Sequence, residues 1–243
     1  MRTFNLDSLI KKLQMVLMAI SMLLPGFVHY AQKPHLASVN HSDRLNYARQ
    51  VLSNKDYVEY AFHDAQKGEV EAYLLKKFKA AFPEERQALI YSWVNTLINE
   101  SNRAGIDPLF VAAIIQQESR FNAKAVGGHG ELGLMQIRPQ TARWMAKKAK
   151  VKFKSDRELF NPSVNIKIGV LYLSYLNKKF ENVRHSTAAY NMGPRNVKRV
   201  IASQKQPQIY HRHVFRHYRA FYKELSAQKE ALLVAYQDNL IAQ

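Results

Sequence analysis

The chain has 243 residues and a formal net charge of +17, from 36 Lys and Arg against 19 Asp and Glu. With 47% hydrophobic and 23% charged residues it is not a mostly disordered chain, and only 9 Gly and 8 Pro argue against a many-turned β-sandwich. Cysteine is absent, which excludes disulfides, thiolate zinc sites, a catalytic thiol and a lipid carried on an N-terminal Cys. The basic field favours an anionic partner: nucleic acid, a membrane surface or a cell-wall polymer.

The first segment, residues 1–31, pairs Arg2, Lys11 and Lys12 with an apolar run from Leu13 to Leu24 that breaks at Pro25-Gly26. A basic start, a short apolar stretch and a helix breaker describe an export signal or a membrane anchor. Removal after Ala31 would take away a net +2 and leave +15. Residues 32–42 are polar and read as a linker, and apolar spacing predicts short helices near 43–53, 56–66 and 69–82. Residues 32–89 together form a linker and helical extension. Pro83 with Glu84 and Glu85 reads as the start of an amphipathic helix bearing Leu89, Ile90, Trp93, Leu97 and Ile98, closed by Gly105.

Asp107 and Pro108 then suit the cap and first position of a helix whose residues Leu109 to Ile115 are all apolar. Such a helix is buried. A Gly-rich loop follows at 126–133, and helices are predicted from Pro139 towards Lys150 and from Asn161-Pro162 through Leu176. Further short helices fall at Ser186–Asn191, ended by Gly193, and from Pro194. A basic aromatic helix runs from about Tyr210 to Leu225, with an amphipathic tail over 226–243. No convincing strand and no internal repeat is visible. The predicted fold is all-α.

Glu118 stands out. It lies three residues after Ile115, four after Ile114 and seven after Val111, so it shares their face of the buried helix. A carboxyl on an apolar stripe is desolvated, which raises its pKa into the range a general acid needs near neutrality. The same spacing also fits a solvated Glu at a fraying helix end, or one paired with Arg120.

Three motifs occur in order: Glu118-Ser119-Arg120-Phe121-Asn122, Gly130-Glu131-Leu132-Gly133-Leu134-Met135-Gln136-Ile137, and Ala189-Tyr190-Asn191-Met192-Gly193. Together they resemble the catalytic domain of soluble lytic transglycosylases, a family of goose-type lysozyme-like fold. The resemblance covers roughly 90–222, within a catalytic domain set at 90–225. It implies that Glu118 is the single catalytic Glu and that Gln136, Tyr190 and Asn191 are cleft positions. Tyr210 aligns with a late Tyr near the acid, though Gln-Pro-Gln-Ile-Tyr departs from the family's surroundings. Met135 is grouped with these substrate-lining positions as a residue that packs beside the cleft rather than one that does chemistry. Gln136 offers a donor and an acceptor to sugar groups, and Tyr190 a ring face and a hydroxyl.

One departure is plain: the family commonly carries Ser then Pro nine and ten residues after the acid, where this chain has Gly127 and Gly128. The activity implied is cleavage of the β-1,4 bond between N-acetylmuramic acid and N-acetylglucosamine, leaving 1,6-anhydro ends. Glu131 is the nearest second carboxylate in sequence. A non-catalytic cell-wall binding or assembly protein and a hydrolysing goose-type lysozyme are the alternatives. The expected partner is peptidoglycan, with an anionic membrane surface or a secretion or conjugation complex as further candidates in the periplasm or cell envelope. His213 and His217 lie four apart in a basic aromatic run, but no third ligand accompanies them, so neither a metal nor any other cofactor is assigned. The export signal weighs against nucleic acid as a partner.

Overall fold

Capping residues delimit most helices of the computed structural model, which describes residues 36–52, 68–207 and 209–241, with side chains as far as 227. The expected export segment and the helix expected at 56–66 lie outside the described residues. Nine α-helices carry the described part: α1 (His41–Val51), α2 (Glu69–Ala81), α3 (Gln87–Ala104), α4 (Pro108–Ser119), α5 (Pro139–Ala149), α6 (Pro162–Phe180), α7 (Val183–Met192), α8 (Pro194–Ala202) and α9 (Tyr210–Ile241). A 3₁₀ turn at Asp156–Phe160 precedes α6. Among the described residues there is no extended strand, only isolated bridges pairing Leu132 with Val126 and Ile137. No helix among them is long and apolar enough to cross a membrane.

The caps follow the sequence closely. Asp107 accepts from the Leu109 N–H with Pro108 at the first position of α4, and Asn161 accepts from Ser163 and Val164 ahead of Pro162. Gly105 ends α3 in the left-handed region at φ 62°. The expected start at Pro83 is displaced. Pro83-Glu84-Glu85 instead form a turn closed by Glu85 N–H to Phe82 O at 3.2 Å, and α3 begins after the extended Arg86.

α4 is the centre of the molecule. Leu109 to Ile115 are fully buried all round the helix, so neighbours must cover every side. α9 lies along it, α3 and α2 close other sides, and α6 packs on α3, α5 and α7. The segment expected to be a linker is partly built into this core: Val39 is buried, and its N–H donates to Glu71 Oε1 at 2.7 Å. Tyr47 on α1 packs on Phe110, and Phe78 on α2 meets Phe121 edge to face. The helices before residue 90 therefore share one hydrophobic core with the rest. Leu36 and Val39, the apolar anchors of this polar stretch, are too sparse a periodicity to show this.

Candidate active site

Glu118 occupies the last turn of α4, where a cleft of about 1180 Å³ opens. The chain leaves the helix sharply, with Arg120 at φ 53° and Phe121 at φ 63°, both left-handed. Non-glycine residues are uncommon there, and such a conformation survives only where packing imposes it. Here Phe121 is pinned in the core against Phe78. Ser119 ties the helix end to the following loop through its hydroxyl, which donates to Leu134 O at 2.7 Å.

That loop is held by a buried asparagine. Asn165 on α6 donates from Nδ2 to Leu132 O and Leu159 O, both at 2.8 Å, and its Oδ1 accepts the Met135 N–H at 2.7 Å. Gly133 makes this possible. It sits at φ 75°, and a Cβ there would lie 2.1 Å from Leu159 O and 2.4 Å from Asn165 Nδ2. Gly133→Ala therefore meets backbone on one side and the clamp on the other. We expect it to cost more than about 2 kcal/mol in chemical denaturation, through strain and a displaced loop.

Glu118 is partly buried, and desolvation lifts its pKa from 4.5 to about 7. The Tyr210 hydroxyl, at the start of α9, donates to Glu118 Oε1 and opposes that rise, while the negative charge of Glu131 adds to it. The phenol itself is pushed well above its ordinary range by burial and by Glu118, so it stays protonated as a donor. The carboxyl is thus neutral for half of its population near pH 7.

Glu131 also lines the cleft, in the opposite electrostatic state. Burial acts to raise its pKa, but the Arg138 Nε–H at 2.8 Å and the His129 N–H at 3.0 Å outweigh it and hold the carboxyl below its usual value. Its carboxylate occupies the space above Gly127, where an added Cβ would lie 2.5 Å from Glu131 Oε2 and 2.7 Å from Gln136 Oε1. Gly127 is therefore matched to Glu131: a side chain at 127 would displace the carboxylate. Sequence spacing alone could not reveal this, because the two residues meet only after the left-handed turn at Gly130.

The remaining expected positions divide. Gln136, Tyr190 and Asn191 line the cleft with Glu118. Gln136 does not offer both groups to a ligand, because its Nε2 donates to Ala125 O at 3.1 Å and Gly133 O at 2.9 Å. The Tyr190 hydroxyl is likewise engaged, donating to Met135 O at 3.0 Å, so only the ring is presented. Met135 is fully buried and does not line the cleft; its sulfur packs where a Cβ on Gly169 would come within 2.3 Å. The packing role is the one expected for it, and its grouping with the substrate-lining positions is corrected. Among the described residues no three His, Cys, Asp or Glu side chains come together as a metal site.

A half-buried acid at the end of a buried helix, under a tyrosine and facing a glycine-built loop that carries a second, ionised acid, defines a helical domain with an acidic cleft. Residues 95–213 match the family described as "Transglycosylase SLT domain". It is 33% identical over 168 residues to the soluble lytic murein transglycosylase of Salmonella typhimurium, covering 62% of this chain and 25% of that protein. It is 37% identical over 120 residues to membrane-bound lytic murein transglycosylase C of Haemophilus influenzae, covering 45% of this chain and 34% of that one. Among solved structures, the 70 kDa soluble lytic transglycosylase of Escherichia coli aligns at 27% identity and a TM-score of 0.46 over 68% of this chain and 32% of that one. The chain thus spans from a quarter to about a third of the length of these relatives.

Proposed function

We propose that the chain is an exported peptidoglycan lytic transglycosylase with Glu118 as its one acid and base. The observation that carries this reading is the Glu118 carboxyl itself, desolvated, with a pKa of about 7 and an accepted hydrogen bond from Tyr210. Such a group can give up a proton and take one back near neutrality.

In the first step the Glu118 carboxyl protonates the oxygen linking N-acetylmuramic acid to N-acetylglucosamine. The C1–O bond breaks, the bonding pair leaves with that oxygen as a hydroxyl, and the substrate's acetamido carbonyl shares the charge at C1. In the second step the Glu118 carboxylate accepts the proton of the muramyl C6 hydroxyl as that oxygen bonds to C1. No water is consumed, and Glu118 returns to its acid form. Tyr210 keeps the carboxyl oriented through both steps, and the basic surface holds the enzyme on an anionic polymer.

The ionised Glu131 in the same cleft favours one other reading, in which it activates water and the product carries a reducing end. A sedimentation assay with purified peptidoglycan, scored for both binding and solubilised fragments, tests the proposal at its base. Turnover is expected; binding without turnover would make the chain a wall-binding protein.

Two substitutions should move the pH profile in opposite directions. The acid form of Glu118 is the active one, so kcat/KM falls as pH rises through about 7. Glu131→Gln removes a charge that raises the Glu118 pKa, so the alkaline limb should shift to lower pH. Tyr210→Phe removes a hydrogen bond that lowers it, so the limb should shift to higher pH, with reduced activity throughout. Initial rates of peptidoglycan solubilisation from pH 5 to 9 check both.

A further inference from the structure

Beside the cleft lies an aromatic ledge that the chemistry above does not use. Trp144 on α5 is 43% exposed, unusual for so large an apolar surface. It stands edge to face with Tyr175 at 4.8 Å and with Tyr172 at 6.5 Å, both on α6. Tyr172 in turn packs on Tyr190 at 5.4 Å, so one line of rings runs from the exposed indole to the wall of the cleft. Tyr172 and Lys179 line that cleft, and Trp144 lies beyond it.

Two cations flank the ledge. The Lys179 ammonium lies 5.4 Å from the Tyr175 ring centre and donates to its hydroxyl at 3.0 Å, and the Lys148 ammonium lies 5.8 Å from the same ring. Both lysines are exposed, and among the described residues neither forms an ion pair with a carboxylate. A rigid aromatic face suits the apolar face of a pyranose ring, and paired ammonium groups suit carboxylates projecting from it.

We propose that Trp144, Tyr172, Tyr175, Lys148 and Lys179 form an outer subsite for a glycan bearing an acidic peptide. One sugar ring stacks on Trp144 while peptide carboxylates meet the two lysines. The inference rests on the reading of the cleft as a glycan site, with which it is continuous through Tyr172 and Tyr190. It makes the enzyme prefer glycan that still carries its peptides over bare chains.

The indole supplies its own probe. The chain has two tryptophans, and Trp93 is buried against Phe82, so a ligand-induced change in emission reports on Trp144. The full chain carrying Glu118→Gln is titrated with a purified peptidoglycan tetrasaccharide bearing tetrapeptides, and with the same tetrasaccharide stripped of peptide by amidase. Binding of both should shift and quench the emission.

Trp144→Ala, followed by calorimetry, should weaken both ligands about tenfold. Lys148→Ala with Lys179→Ala should weaken the peptide-bearing ligand several-fold and leave the bare one unchanged. Unchanged affinity in Trp144→Ala, with binding intact in its parent, would remove the subsite and leave the cleft reading standing. Absence of any binding by the parent would overturn both.

Discussion

Glu118→Gln should abolish turnover while stabilising the fold at alkaline pH. The loss expected for a general acid is on the order of 10²–10⁴-fold, and here one group serves both steps, so the upper end applies. The gain in stability follows from linkage. With a folded pKa of about 7 against an ordinary 4.5, Glu118 binds its proton more tightly in the folded chain. Its favourable contribution is full below pH 4.5 and is lost as pH rises through 7. Glutamine has no proton to lose and can still accept from Tyr210. At pH 8 the variant should therefore be more stable than the parent by roughly 3 kcal/mol, and at pH 4 the two should be nearly equal. Urea titrations at both pH values check this. Equal stability at pH 8 would mean that the carboxyl is not desolvated as described.

The second large effect lies beneath the site. Asp107 is fully buried, caps α4, and accepts from the hydroxyls of Tyr218 and Tyr222 on α9, both at 2.6 Å. Arg44 from α1, also buried, donates to Tyr222 at 3.0 Å and lies over its ring at 5.4 Å. Burial pushes the Asp107 pKa up, and Arg44, the two tyrosines and the Leu109 N–H pull against it. This one carboxylate joins the helix that carries Glu118 to the helix that carries Tyr210. Asp107→Ala removes the acceptor shared by two buried tyrosine hydroxyls, the α4 cap and a buried negative charge that acts on Arg44, a loss of about 3–5 kcal/mol. For a chain of this size that lowers Tm by about 10 °C. Asp107→Asn, which keeps the cap, should cost less. A drop of only a degree or two in Asp107→Ala would mean that the cluster is not what joins the helices.

Most helices were legible because their ends are written in short-range chemistry. Asp107-Pro108, Asn161-Pro162 and Gly105 each act within one turn, so spacing suffices to place them. Glu118 was legible for the same reason, since its anomaly is a polar residue on its own helix's apolar face. The start of α3 was not, because Pro83 serves a tight turn as readily as a helix.

The finer chemistry of the cleft depends on contacts across the chain. The Tyr210 hydroxyl reaches Glu118 from 92 residues away, and the Tyr190 hydroxyl is taken by the Met135 carbonyl from 55 away. Glu131 filling the space over Gly127 is a matter of backbone turns that no residue pattern encodes. The Asn165 clamp, buried in α6, carries no local signal beyond a polar residue on an apolar face, the same signal that singled out Glu118.

In the proposed reaction one carboxyl both breaks the glycosidic bond and closes the anhydro ring. Mass spectrometry of fragments released from purified peptidoglycan tests it directly. Muramyl ends lighter by one water than hydrolysed ends are expected from the parent chain and from Glu131→Gln alike, and none from Glu118→Gln. Reducing muramyl ends that disappear in Glu131→Gln would contradict it and make the enzyme a two-carboxylate hydrolase.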